Sequence, residues 1–114
     1  MWIFTTFGFF SVVQKQGSPL LTIRARVRGD LDGLRERYLP SLSPTIAGAG
    51  TDYRYRGTVS HEHLALAMAA IVRDIDYSNF KSEVARQQDR SREAVYHKVW
   101  DALWQLERIE LDRA

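Results

Sequence analysis

The chain has 114 residues, 45% of them hydrophobic and 26% charged, with a formal net charge of +2. That length supports one real core but not two, so a single domain over residues 1–114 is expected. The absence of cysteine excludes disulfides, thiolate metal sites and cysteine nucleophiles, and a reducing cytoplasm is the expected location.

The opening MWIFTTFGFFSVV is apolar and uncharged. It has no basic stretch before it and no small-residue cleavage site after it. It also falls short of the roughly 20 residues that span a bilayer as a helix, so no membrane association is expected. Aromatic and β-branched residues dominate it, and the spacing predicts a first strand over residues 2–14. Odd positions give Ile3, Phe7, Phe9 and Val13, while even ones give Trp2, Phe4, Phe10 and Val12. Both faces are apolar, as in a central strand covered on two sides. Gly8 reads as a bulge within it. Residues 15–19 (KQGSP) have turn chemistry and predict an antiparallel hairpin with the next strand.

That second strand, residues 20–28 (LLTIRARVR), carries arginine at every second position. On extended backbone Arg24, Arg26 and Arg28 share one face, while Leu21, Ile23, Ala25 and Val27 take the other. The period then changes. Asp30 is the expected N-cap of a helix with Leu31, Leu34 and Tyr38 on its apolar side, stopped by Pro40. Residues 41–51 (SLSPTIAGAGT) read as a loop whose two glycines mark the most flexible segment. A third strand over residues 52–59 (DYRYRGTV) repeats the alternation, with Arg54 and Arg56 opposite Tyr53 and Tyr55.

Ser60 is the expected N-cap of a second helix, with Glu62 in its first turn. Leu64, Met68, Ile71, Val72 and Ile75 form its stripe, and it should end near Tyr77. A short helix from about Asn79 reaches the polar run at residues 85–92 (ARQQDRSR), either an exposed turn of one long helix or a break between two. The final helix, about residues 91–111, spreads Val95, Tyr96, Val99, Trp100, Ala102, Leu103, Trp104, Leu106, Ile109 and Leu111 over an arc of roughly 220°. A surface helix needs an apolar stripe of little more than about 100°, so this one should touch more than one neighbour.

The order β-β-α-β-α-α predicts a two-layer α+β domain with helices mainly on one face. A right-handed crossover makes strands two and three parallel, with strand one between them and antiparallel to both. The expected sheet is therefore three-stranded and mixed, in the order 2-1-3. Through Gly57 eight basic residues face four acidic ones, whereas the remainder has eight against ten. The basic character thus belongs to the strand-rich half.

Two surfaces carry possible chemistry. Arg24, Arg26, Arg28, Arg54 and Arg56 would border strand-one aromatics and bind single-stranded nucleic acid by phosphate contact and base stacking. The plainer reading of that face is a solvated one. Trp2, Phe4, Phe10, Tyr96, Trp100 and Trp104 are the expected aromatic interface, as Trp and Tyr are favoured anchors. The plainer reading has Tyr96, Trp100 and Trp104 packing on the sheet and the second helix, and whatever covers the second face of strand one decides between the two. His61 and His63 do not share a helical face and lack a third ligand, so no metal is expected. Asp74 and Asp76 come without a phosphate-binding loop, and residues 48–50 (GAG) precede a strand, not a helix. His97, beside Tyr96, is the remaining acid–base group. No nucleophile, metal cluster or carboxylate pair accompanies it, so neither a catalytic residue nor a cofactor is expected.

On MWIFTTFGFFSVVQK, LTIRARVRGDLDGLRERYLP, DIDYSNFK and VYHKVW, the chain resembles, over essentially its full length, a family of short bacterial proteins of unknown function. The resemblance implies a self-contained bacterial cytoplasmic protein and brings no activity, cofactor or site residue. The leading expectation is a non-enzymatic interaction module that associates with itself, as a homodimer, or with another protein. The alternatives are a nucleic-acid-binding module and a small ligand-binding domain or enzyme.

Overall fold

In the computed structural model, which describes residues 1–48 and 52–113, the apolar opening stretch is two strands, not one. β1 (Trp2–Thr5) and β2 (Gly8–Val13) pair antiparallel around a two-residue turn at Thr6 and Phe7. No glycine or asparagine builds this turn. The Thr5 hydroxyl does, donating to the Gly8 carbonyl at 2.8 Å and accepting from the Gly8 N–H at 3.0 Å. Gly8 is therefore the first residue of a strand and not a bulge. Its hydrogen atom faces Asp30, whose carboxylate accepts the Phe9 N–H at 3.0 Å.

β3 (Leu21–Ala25) follows through the expected turn. Gly17 adopts φ 82°, a conformation glycine reaches without penalty, and the Ser18 N–H bonds the Lys15 carbonyl. β4 (Ile46–Ala47) and β5 (Tyr55–Val59) complete a sheet of order β1-β2-β3-β5-β4, with every pairing antiparallel. The α+β class holds. The sheet has five strands instead of three, and β3 lies directly against β5 with nothing between them. Splitting the first strand removed the element that was to separate them, and β1 became an edge. Ile46 and Ala47, expected as loop, form the opposite edge. Residues 49–51 of that loop, with the flexibility expected there, lie outside the described residues.

The chain forms two compact units, Met1–Asp76 and Tyr77–Ala114. In the first, α1 (Arg28–Arg37) and α2 (His61–Arg73) cover one sheet face. Phe10, Val12, Ile23, Ala25 and Val59 from the strands meet Leu31, Leu34, Leu64 and Ala67 from the helices. A void of about 10 Å³ remains between Ile3, Phe10, Ile23, Leu34, Met68 and Ile71. Its size and apolar walls exclude a ligand site there. α1 starts two residues before the expected cap, at Arg28, after Val27. Asp30 is spent on Phe9 instead, because a carboxylate in the first helical turn also reaches the neighbouring strand. Arg35 on α1 then ties down the chain after the helix, donating to the Leu42 and Ser43 carbonyls and to Asp32. α2 is capped as expected, with Ser60 Oγ accepting the His63 N–H at 3.1 Å. It ends at Arg73, earlier than Tyr77, so Ile75 lies beyond the helix, and both Val72 and Ile75 of the expected stripe are exposed.

The second unit begins with α3 (Phe80–Gln87), capped by Asn79. The polar run is a break. Asp89 caps α4 (Arg90–Leu103) by accepting the Arg92 N–H at 2.8 Å, and α5 (Gln105–Arg113) continues past a turn at Trp104. α3 and α4 form a hairpin in which Phe80 stacks on Tyr96, with Val84 and Tyr96 buried.

Candidate functional site

The five arginines do not form one stripe. β3 ends at Ala25 and β5 starts at Tyr55, so strand parity governs only Arg24 and Arg56. Arg28 is the first residue of α1. Arg24 and Arg56 lie directly opposite each other on the sheet face turned away from α1 and α2. The same row runs through Ser11 to Trp2 on one side and to Ile46 on the other.

Arg24 donates to Ser11 Oγ at 2.6 Å. Its guanidinium lies 4.7 Å from the centre of the Tyr53 ring, and that of Arg26 lies 4.6 Å from the same ring. Tyr53 is buried and so holds both cations in place. Arg26 also donates to the Asp52 carbonyl. Arg28 and Arg54 gather instead around Tyr55, at 5.3 and 6.0 Å.

The strand-one aromatics divide by parity. Phe10, expected at the interface, is buried in the core on the helix side, because the turn at Thr6 and Phe7 resets the alternation. Trp2 and Phe4 stay on the arginine side with Phe9, which Phe4 stacks against at 4.5 Å and Trp2 meets edge-on at 5.8 Å. Trp2 is 67% exposed.

Within the second unit, Tyr96 is taken up by the hairpin. Trp100 and Trp104 are exposed and meet edge to face at 5.1 Å. Lys81 Nζ lies over the Trp100 ring and 3.1 Å from His97 Nδ1, and the His97 ring stacks on Trp100. His97 therefore stands on an exposed helix surface with a cation and an indole, not with a nucleophile.

Beyond Trp100 no described residue of its own unit covers the helix. Every residue from 101 to 113 is exposed, including Leu103, Trp104, Leu106, Ile109 and Leu111. An isolated helical stretch of this length is marginal in water, and one with five large apolar side chains exposed is more costly still. Val95, Val99, Ala102, Leu106 and Ile109 follow one another at steps of 4, 3, 4 and 3. Those are the a/d steps of a coiled-coil seam, carried across the turn at Trp104 from α4 into α5. The broad arc was visible in the sequence, but this narrower seam within it was missed, since the tryptophans drew the reading to positions outside it. Among the described residues no helix is long and apolar enough to cross a membrane.

No family model, no curated protein and no solved structure matches the chain.

Proposed function

We propose that the protein is a non-enzymatic self-associating module, joined to a second copy through α4 and α5. The uncovered stretch at residues 101–113 carries this reading. A second copy supplies, by symmetry, the apolar surface each helix lacks, in an isologous two-fold interface. Charge favours the antiparallel arrangement. When Val99 faces Ile109 of the second copy and Ala102 faces Leu106, the flanking positions place Lys98 beside Asp112 at both ends. A parallel pair would put Lys98 beside Leu103 and gain no ion pair.

The strength of the seam follows from its exposure. Burying a leucine side chain is worth about 1.5–3 kcal/mol. Leu106 is 60% exposed, so Leu106→Ala, lost from both chains, costs the pair roughly 2–3 kcal/mol, or about a hundredfold in Kd. Sedimentation equilibrium should show a dimer for the unaltered chain, weakened to that extent by the substitution. Trp104→Ala, outside the seam, should leave the dimer in place. Lys98→Asp and Asp112→Lys should each weaken association, and together restore it. A monomer throughout the micromolar range refutes self-association. A dimer that is not restored by the double exchange refutes the antiparallel register alone.

A further inference from the structure

The cross-strand position shared by Arg24 and Arg56 is unusual for a folded sheet. Like charges placed directly opposite one another destabilise a strand pair. Neither side chain has an ion-pair partner among the described residues. The Nε atoms of both are buried and unbonded. Arg24 is nevertheless held firmly, by Ser11 on one side and the Tyr53 ring on the other, and Tyr53 brings Arg26 to the same place. Two guanidiniums thus share the Tyr53 ring, Arg56 stands at the opposed register position, and among the described residues no carboxylate pairs with Arg24 or Arg56. An oxyanion supplies what is missing, both the acceptors and the opposite charge.

We infer that the sheet face turned away from α1 and α2 is a phosphate-binding site built on Arg24 and Arg56. The row that carries them extends through Ser11 to Trp2, two strands away. Strands lie about 4.8 Å apart, so the Trp2–Phe9–Phe4 aromatic surface begins roughly 10 Å from Arg24. A nucleotide spans that distance, with its phosphate on the arginines and its base against the rings. The same site accepts a free phosphate through the arginines alone.

Thermal unfolding with inorganic phosphate, against chloride at matched ionic strength, tests the anion site. Anisotropy of a labelled oligothymidylate tests the chain-borne source. Phosphate should raise the melting temperature beyond chloride. The oligonucleotide should bind with a salt dependence whose log–log slope falls by about 0.7 in Arg24→Gln or Arg56→Gln, one phosphate contact each. Both variants should keep the native circular dichroism, because removing one of two opposed cations relieves repulsion. Arg73→Gln on α2 should behave as the unaltered chain, and Arg56→Lys, with charge but no fork, should fall between. Oligonucleotide binding without a response to inorganic phosphate assigns the site to nucleotide chains. A phosphate response without oligonucleotide binding assigns it to free phosphate. No response to either, or a response that survives both glutamine variants, overturns the site.

Discussion

Gly8→Ala places a methyl group where the structure has no room for one. A Cβ at Gly8 would lie 2.8 Å from Asp30 Cβ, 2.9 Å from Asp30 Cγ and 2.9 Å from Phe10 Cζ. Carbon atoms in contact prefer about 3.5–4.0 Å, so each neighbour would have to retreat by more than about 0.5 Å. Neither retreats easily. Phe10 is wedged in the core, and Asp30 is the acceptor for the Phe9 N–H that links β2 to α1. Overpacking of this kind costs roughly 1–3 kcal/mol, and loss of the buried acceptor adds about 1–3 kcal/mol if the helix moves away. A net loss of about 2–4 kcal/mol is expected, read as a lower urea midpoint with an unchanged m-value. Asp30→Gly removes two of the three clashing atoms, so the double variant should lose less than the two single losses combined. A loss below about 0.5 kcal/mol, the range of neutral surface changes, would refute this account of the β2–α1 contact.

The helical hairpin should be acid-labile. The Arg86 guanidinium and the Gln87 amide hold the Glu83 carboxyl down at about 2 from the ordinary 4.5, and the N–H of Arg92 lowers that of Asp89. Carboxyls depressed in the fold stabilise it above their unfolded pKa and cease to do so as pH falls through the folded value. Ellipticity at 222 nm should therefore decline between pH 4.5 and about 2. Glu83→Gln should remove part of that decline, and an unchanged profile would refute the assignment. Ser60→Ala should cost α2 about 1 kcal/mol through loss of the bond to the His63 N–H, measured by denaturant unfolding. Ser60→Asp, which retains an acceptor, should cost little.

The parts of the fold legible in the sequence were those with local chemical signatures. The KQGSP turn, the Ser60 cap, the start of a short helix near Asn79 and the stripe at Leu64, Met68 and Ile71 belong to this group. The first hairpin was missed because its turn rests on a threonine hydroxyl and offers none of the Asn-Gly or Gly-Gly signals that mark a two-residue loop. One uninterrupted strand was read in its place, which set it between β3 and β5. The parallel orientation expected for those two was a separate error, because the crossover rule applies to parallel neighbours and β3 and β5 pair antiparallel. Parity also failed at Arg28, because alternation describes extended backbone and the helix had already begun. The opposition of Arg24 and Arg56 depends on the register between β3 and β5, which no local pattern encodes. The apolar arc of the last helix was plain from periodicity alone, but that nothing in its own unit covers residues 101–113 is a tertiary fact.

The Thr6–Phe7 turn has a consequence for how this sequence can vary. It connects two strands in a fixed register, with Phe10 and Ile3 inward and Trp2 and Phe4 outward. One residue added or removed there would shift the pairing by one and exchange those sets, driving the Trp2 ring into the core and Ile3 out of it. The seven-residue connection between β2 and β3, residues 14–20, is almost wholly exposed and long enough to absorb an added residue, so length changes would accumulate there first. Natural or selected variants should therefore differ in length between residues 14 and 20 and hardly ever between residues 5 and 8. A deep insertion scan would show two neighbouring hairpins of one sheet with opposite tolerances.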